Sequence, residues 1–138
     1  MAGTATGRKL AQARRPNRFA FSLATEEDEP ELRRFLSLHP TPGRFSLRFE
    51  REPNYFIGYD NAAERHDTVL ARSDGRISCI GRSSRRRLYL DGKPRSVSYL
   101  GELRLDPRAP GGLRALREGY AFFESLEQGH PADCYFTS

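Results

Sequence analysis

The residues whose types and spacing could do chemistry gather at 108–112, Arg-Ala-Pro-Gly-Gly. Arg108 supplies a planar guanidinium, and Gly111 and Gly112 stand at the head of a segment whose apolar residues recur at helical spacing. The first N–H groups of a helix have no intrahelical partner and lie at the positive end of its dipole. Residues without Cβ let a phosphate come within hydrogen-bonding distance of them. Together these features describe an anion site. An ordinary Gly-rich turn between a strand and a helix would carry the same residues, and the strand ahead of the turn is what favours the anion site.

The elements that position it are legible over 96–126. Val97, Tyr99, Gly101, Leu103 and Leu105 alternate with Ser98, Leu100, Glu102 and Arg104, which predicts a strand with the first set on one face and the second on the other. Pro107 stops it. Leu113, Leu116, Tyr120, Phe123 and Leu126 then follow a helical period, and Gly129 with Pro131 supplies a stop, so the spacing predicts a helix over 110–128.

Strand, turn and helix resemble the pyrophosphate loop of the GCN5-related N-acetyltransferases (GNATs), whose pattern R/Q-x-x-G-x-G/A follows the fourth strand and binds acetyl-CoA. Arg108, Ala109, Pro110 and Gly111 fit the first four positions and Gly112 the fifth, while Leu113 stands where the family has Gly or Ala. The resemblance implies transfer of an acetyl group from acetyl-CoA to a primary amine on a small molecule or a peptide. It implies that Leu103, Arg104 and Leu105 offer backbone contacts to the pantetheine, where the fourth and fifth strands splay apart. By the same carry-over Arg108, Ala109, Pro110, Gly111 and Gly112 bind the pyrophosphate. A carboxylate acting directly or through water can keep the amine neutral, and Glu102 on that strand is the candidate. A surface charge paired with a neighbouring arginine is an equal reading of Glu102. Glu50, Glu52 and Tyr55 fall in the segment that lines the acceptor side in related enzymes, where acidic residues suit a cationic acceptor. Helix capping and solvation account for these three equally well.

Upstream, Phe19, Phe21 and Leu23 alternate as a short first strand. Asp28 offers an N-cap with Glu31 three residues on and Pro30 in the first turn, and Leu32, Phe35 and Leu36 give the helix an apolar face ended by Pro40, Pro42 and Gly43. Over 44–59 two readings stay open, a strand through Phe45, Leu47 and Phe49 or a short helix from Pro53 through Tyr55 and Phe56. The β-prone runs 68–72, 76–81, 87–90 and 95–105 are separated by Asp74-Gly75 and Asp91-Gly92 and predict a three-stranded antiparallel meander. Residues 134–137 open a further strand.

Composition sets the class. A chain of 138 residues with 37% hydrophobic content allows one domain with a modest core, and no apolar run approaches a membrane span. The net charge of +5 comes from the start of the chain: Arg8, Lys9, Arg14, Arg15 and Arg18 are all the charges before Glu26, and the remainder is formally neutral. Residues 1–17 read as a basic disordered tail without a secretory core. Arg82, Arg85, Arg86, Arg87, Lys93 and Arg95 form a second basic cluster. A solvated hairpin edge ranks there above a phosphate or nucleic-acid surface, because Tyr89 is the only aromatic nearby. Cys79 and Cys134 belong to no C-x-x-C pair and read as reduced thiols suited to the cytoplasm. His39, His66 and His130 are isolated and read as loop residues, so no metal is expected. No G-x-S-x-G, H-E-x-x-H or P-loop supports a hydrolase or nucleotidase.

The expectation is a mixed α/β (α+β) domain over 18–138, an acyl-CoA N-acyltransferase-like fold with an antiparallel central meander. The element order matches the first half to two-thirds of that fold, truncated after the fifth strand, which predicts self-association or a missing C-terminal half. Two alternatives follow: an inactive acetyltransferase fragment, or a basic nucleic-acid-binding module using the tail and the arginine cluster. Nucleic acid ranks below an amine acceptor as partner.

Overall fold

The computed structural model describes residues 18–57 and 62–137; the basic tail lies outside them. The chain runs β1 (Ala20–Leu23), a single 3₁₀ turn (Glu26–Asp28), α1 (Glu29–Leu38), β2 (Arg65–Ser73), β3 (Arg76–Leu90), β4 (Lys93–Leu105), α2 (Gly112–Glu127) and β5 (Cys134–Thr137). The five strands form one sheet in the order β1-β2-β3-β4-β5. All neighbours are antiparallel except β4 and β5, whose parallel pairing requires the α2 crossover between them.

The meander follows from its turns. Asp74-Gly75 has φ of 52° and 75°, and Asp91-Gly92 has 51° and 72°, the two positive φ values that a two-residue hairpin turn needs. Between them β3 runs unbroken for 15 residues, fusing the two β-prone runs expected at 76–81 and 87–90.

Each face of the sheet carries one helix. Leu32, Phe35 and Leu36 of α1 bury against Leu70, Ile77 and Ile80, with Leu32 and Leu70 at 0% exposure. Each such aliphatic contributes about 1.5–3 kcal/mol by leaving water. On the other face Ala115 of α2 packs against Ala71 and Cys79, flanked by Phe19, Phe21 and Leu105. The α2 stripe is narrower than its apolar spacing predicts: Leu113 is 82% exposed and Tyr120 46%.

The start of α1 differs from expectation. Asp28 precedes the helix, but its carboxylate turns back to accept from the Thr25 N–H at 2.8 Å, closing the 3₁₀ turn instead. Glu31 leaves the helix to accept from the Ile77 N–H at 2.9 Å and pair with Arg72, tying α1 to β3 and β2. Neither reading of 44–59 holds among the residues described there. The Thr41–Leu47 bridge is isolated, and 55–57 form one turn rather than a helix. Asn54 closes that turn: its carbonyl accepts from the Ile57 N–H at 3.3 Å and its side chain accepts from the Phe56 N–H at 2.8 Å.

Candidate functional site

The alternation read from β4 breaks in mid-strand. Ile80 pairs with Arg104 and Arg82 with Gly101, so three steps along β4 match two along β3: the strand carries one extra residue, a bulge. Glu102 takes it up with φ of 52°, a left-handed conformation rare outside glycine. Beyond the bulge the faces exchange. Val97 and Tyr99 share the α1 face with Glu102 and Arg104, while Leu103 and Leu105 turn to the α2 face with Ser98 and Leu100. Period-2 counting puts Glu102 on the wrong side, because it assumes one residue per rung.

On the α1 face Glu102 is the hub of a polar cluster above the apolar core. Arg51 and Arg82 both donate to Oε1, Arg82 at 3.3 Å, and the Tyr55 hydroxyl donates to Oε2 at 3.3 Å. Tyr55 is fully buried, and its N–H donates to the largely buried Glu29 at 2.8 Å. Arg82 also donates to His66 Nδ1 at 3.1 Å, which requires a neutral imidazole at that nitrogen. Burial, then the Arg82 charge, holds the His66 pKa below its usual value. His66 therefore sits on β2, inside the cluster, and not in a loop.

The arginine run splits in the same way. Arg82 and Arg85 have side chains only 13% and 12% exposed, the first on Glu102 and the second on Glu127 at the end of α2, while Arg87 is 70% exposed. A solvated edge describes Arg87 but not Arg82 or Arg85, which alternate onto opposite faces of β3 and meet a carboxylate on each. Glu127 also accepts from the Tyr135 hydroxyl at 2.8 Å, which fixes where β5 begins against α2.

On the α2 face lies an apolar cleft. β5 pairs with β4 only from Val97 to Leu100, so among the described residues the outer edge of β4 from Gly101 to Leu105 has no strand beside it. Leu100, Gly101, Leu103, Leu116, Tyr120 and Phe123 line a cavity of about 120 Å³ there. On the opposite, α1 face a Cβ at Gly101 would stand 2.7 Å from the Tyr99 ring, which would have to shift to admit it.

At the other end of that edge is the turn. The Asp106 carboxylate accepts from the Arg108 N–H at 2.9 Å and from its Nε at 3.1 Å. Burial would raise the Asp106 pKa, but these bonds and the nearby His39 hold it below the usual carboxylate range. Gly111 precedes α2 with φ of 80°, and Ala115 is the first residue to bond back, to Gly111 O at 2.9 Å. The N–H groups of Gly112, Leu113 and Arg114 are left without intrahelical partners. Leu113, in the place of the family's small residue, projects into solvent.

Of the expected site residues, the structure joins Glu102 to Tyr55. Glu52 stands apart, exposed and paired with Arg33 at 2.6 Å, and Glu50 is exposed. Leu103, Arg104 and Leu105 lie along the open edge, with Arg108, Ala109, Pro110, Gly111 and Gly112 at its end. Arg51 and His66 were missed, and their only sequence signal is charge within a few residues of apolar strand or turn positions. Among the described residues no group of three or more His, Cys, Asp or Glu could hold a metal ion, and no helix is long and apolar enough to cross a membrane.

Comparison of folds decides what this frame is. A glucosamine-6-phosphate N-acetyltransferase from Arabidopsis thaliana superposes with a TM-score of 0.59 at 14% identity, covering 88% of this chain and 82% of that one. The chain has the GNAT fold. An acetyltransferase from Trypanosoma brucei matches this GNAT frame with a TM-score of 0.55 at 15% identity, covering 88% and 82% of the two chains. An aminoglycoside acetyltransferase from an uncultured soil metagenomic sample gives 0.52 at 17%, covering 87% and 76%. The share of the plant enzyme covered, 82%, exceeds the half to two-thirds expected from the element order. No family model matches the sequence, and neither does any curated protein.

Proposed function

We propose that this chain is an N-acetyltransferase that moves an acetyl group from acetyl-CoA to a primary amine. The observation that carries the reading is the β4 bulge beside an open strand edge, with the N-terminus of α2 at the end of that edge. The residues present fit the cofactor. The apolar cleft suits a pantetheine arm, the open backbone of Leu103, Arg104 and Leu105 suits its amides, and the N–H groups of Gly112, Leu113 and Arg114 suit a diphosphate. Ala109 and Pro110 shape the turn, and Arg108, 79% exposed, can swing from Asp106 to a phosphate at small cost. Acetyl-CoA supplies an activated acetyl thioester when bound.

The chain's own part is to manage the proton of the amine. Glu102 takes that proton directly or through water. Arg51 and Arg82 hold the carboxylate in place and Tyr55 fixes its second oxygen, so an incoming ammonium must take over one of these hydrogen bonds. The nucleic-acid reading loses support because Arg82 and Arg85, two of its charges, are committed to Glu102 and Glu127.

Calorimetric titration with coenzyme A and acetyl-CoA tests the cofactor part. Gly111→Asp adds a negative charge to the turn at the head of α2. Its Cβ would meet the Phe19 ring at 3.4 Å and the φ of 80° is strained for any side chain, so the comparison is made on folded protein. Repulsion between the added carboxylate and the phosphates, about 1.5–3 kcal/mol at the effective dielectric near a protein surface, should weaken binding about 10- to 150-fold. Unchanged affinity in a folded Gly111→Asp protein would remove the reading.

A further inference from the structure

A polar groove runs between α1 and residues 48–52 on the same face as Glu102, with a cavity volume of about 370 Å³, room for a small-molecule acceptor. Its inner wall is Arg51, whose guanidinium donates to Glu102. Four arginines line it, Arg33, Arg34, Arg48 and Arg51, against Glu50 and Glu52. Two of the four are committed. Arg33 lies between Glu29 at 3.0 Å and Glu52 at 2.6 Å, and Arg51 is held by Glu102. Glu52, the better acidic candidate for a cationic acceptor, is thereby neutralised. Among the described residues no side chain pairs with the guanidinium of Arg34 or Arg48, both exposed, and Glu50, whose carboxylate is likewise unpaired, lines the same groove.

We propose that the acceptor is an amine that also carries an anionic group, a carboxylate or a phosphate, bound by Arg34 and Arg48 while its nitrogen approaches Glu102. This rests on the acetyl-transfer reading and names the substrate class for it. Two planar guanidiniums suit a carboxylate or phosphate because each offers parallel N–H donors to two oxygens, and the positive charge they leave in excess of Glu50 also attracts such a ligand over distance. Glu50 in the same groove offers a place for the ammonium end before it reaches Glu102, so a molecule with both charges fits better than a purely cationic one.

The test uses the full chain and matched amines: an amino acid against its methyl ester, and an amino sugar against its phosphate ester. At least one anionic member should be preferred tenfold or more in kcat/KM, and Arg34→Gln with Arg48→Gln should bring that preference down to about threefold or less. The pair that shows the effect separates carboxylate from phosphate. Equal kcat/KM within both pairs overturns the proposal. A second readout needs no turnover: titration with inorganic phosphate and with malonate should show binding that weakens at least fivefold in the double variant, while coenzyme A affinity stays within twofold. Normal coenzyme A binding with neither anion bound sinks the proposal alone. Absent coenzyme A binding with phosphate binding that depends on Arg34 and Arg48 sinks the transfer reading and upholds the groove as an anion site.

Discussion

Replacing Glu102 by Gln keeps the size of the side chain and removes its charge, leaving Arg51 and Arg82 converged on a neutral amide. The three side chains are 17%, 19% and 13% exposed. Breaking a fully buried ion pair costs about 3–5 kcal/mol and breaking an exposed one about 0–1, so this partly enclosed triad should lose about 2 kcal/mol. For a chain of this size that is a fall of about 8 °C in Tm. If the loss comes from two stranded guanidiniums, then adding Arg51→Gln and Arg82→Gln to Glu102→Gln should restore about half of it, although two more native residues are gone. Melting curves and urea midpoints measure both steps. A Glu102→Gln protein that melts within 1 °C of the parent, or a triple variant less stable than the single one, would refute the electrostatic account. The same variant tests catalysis. A lost base lowers kcat by about 10²- to 10⁴-fold near neutral pH, and the deficit should shrink as pH approaches the amine's own pKa of about 10, where solvent has already removed the proton. A deficit that stays constant with pH would make Glu102 a positioning residue only.

Two further outcomes follow from titrating groups. Burial pushes the Cys79 thiol up to about 11, so about one molecule in a thousand is thiolate at pH 8; a thiol-alkylating reagent followed by mass spectrometry should mark the half-buried Cys134 in the native protein and reach Cys79 only with denaturant, and equal labelling rates would contradict the packing. The backbone hydrogen bond from Thr25, with help from Arg72, holds the Asp28 carboxyl below its ordinary value of 3.8. The folded state therefore binds that proton less readily than the unfolded one, and the stability it contributes is full above about pH 4 and lost as pH falls through the folded value. Asp28→Asn should cost about 1 kcal/mol at pH 7 and flatten the acid limb of urea midpoint against pH; an unchanged limb would show that Asp28 is not linked to folding.

Most of the fold could be read from the chain because local rules and tertiary packing agree. Asp-Gly turns with two positive φ values closed the meander where expected, and the Leu32-Phe35-Leu36 stripe found the core. The spacing of apolar residues over 112–127 found α2, although it overcounted the buried face, because hydropathy does not say how much of a helix the sheet covers. What could not be read is where charged side chains go. Arg82, Arg85 and Arg87 are the same residue type within six positions, yet the first two are enclosed by ion pairs and the third is in solvent. Their partners, Glu102 and Glu127, are 20 and 42 residues away, and nothing local specifies those meetings.

The bulge shows why such a gap matters for function. Strict alternation from Val97 places Glu102 with Ser98 and Leu100, on the face that α2 occupies, where a carboxylate would meet the apolar cleft. One extra residue rotates it to the α1 face, beside the groove that holds Arg34 and Arg48, and sends Leu103 into the cleft in its place. The same insertion thus decides which chemistry meets which face, the leucine in the apolar slot on one side of the strand and the carboxylate among charged groups on the other, with the open backbone edge between them. A bulge-free β4 would also put Glu102 and Leu103 on opposite faces, but exchanged, with the carboxylate in the apolar cleft and the leucine among the charged groups. Glycine at 101 is the trace this leaves in the sequence, since a strand interior tolerates it poorly unless the backbone must turn or a neighbour must come close. Here both conditions apply, with Glu102 at φ of 52° next to it and the Tyr99 ring 2.7 Å from where its Cβ would be.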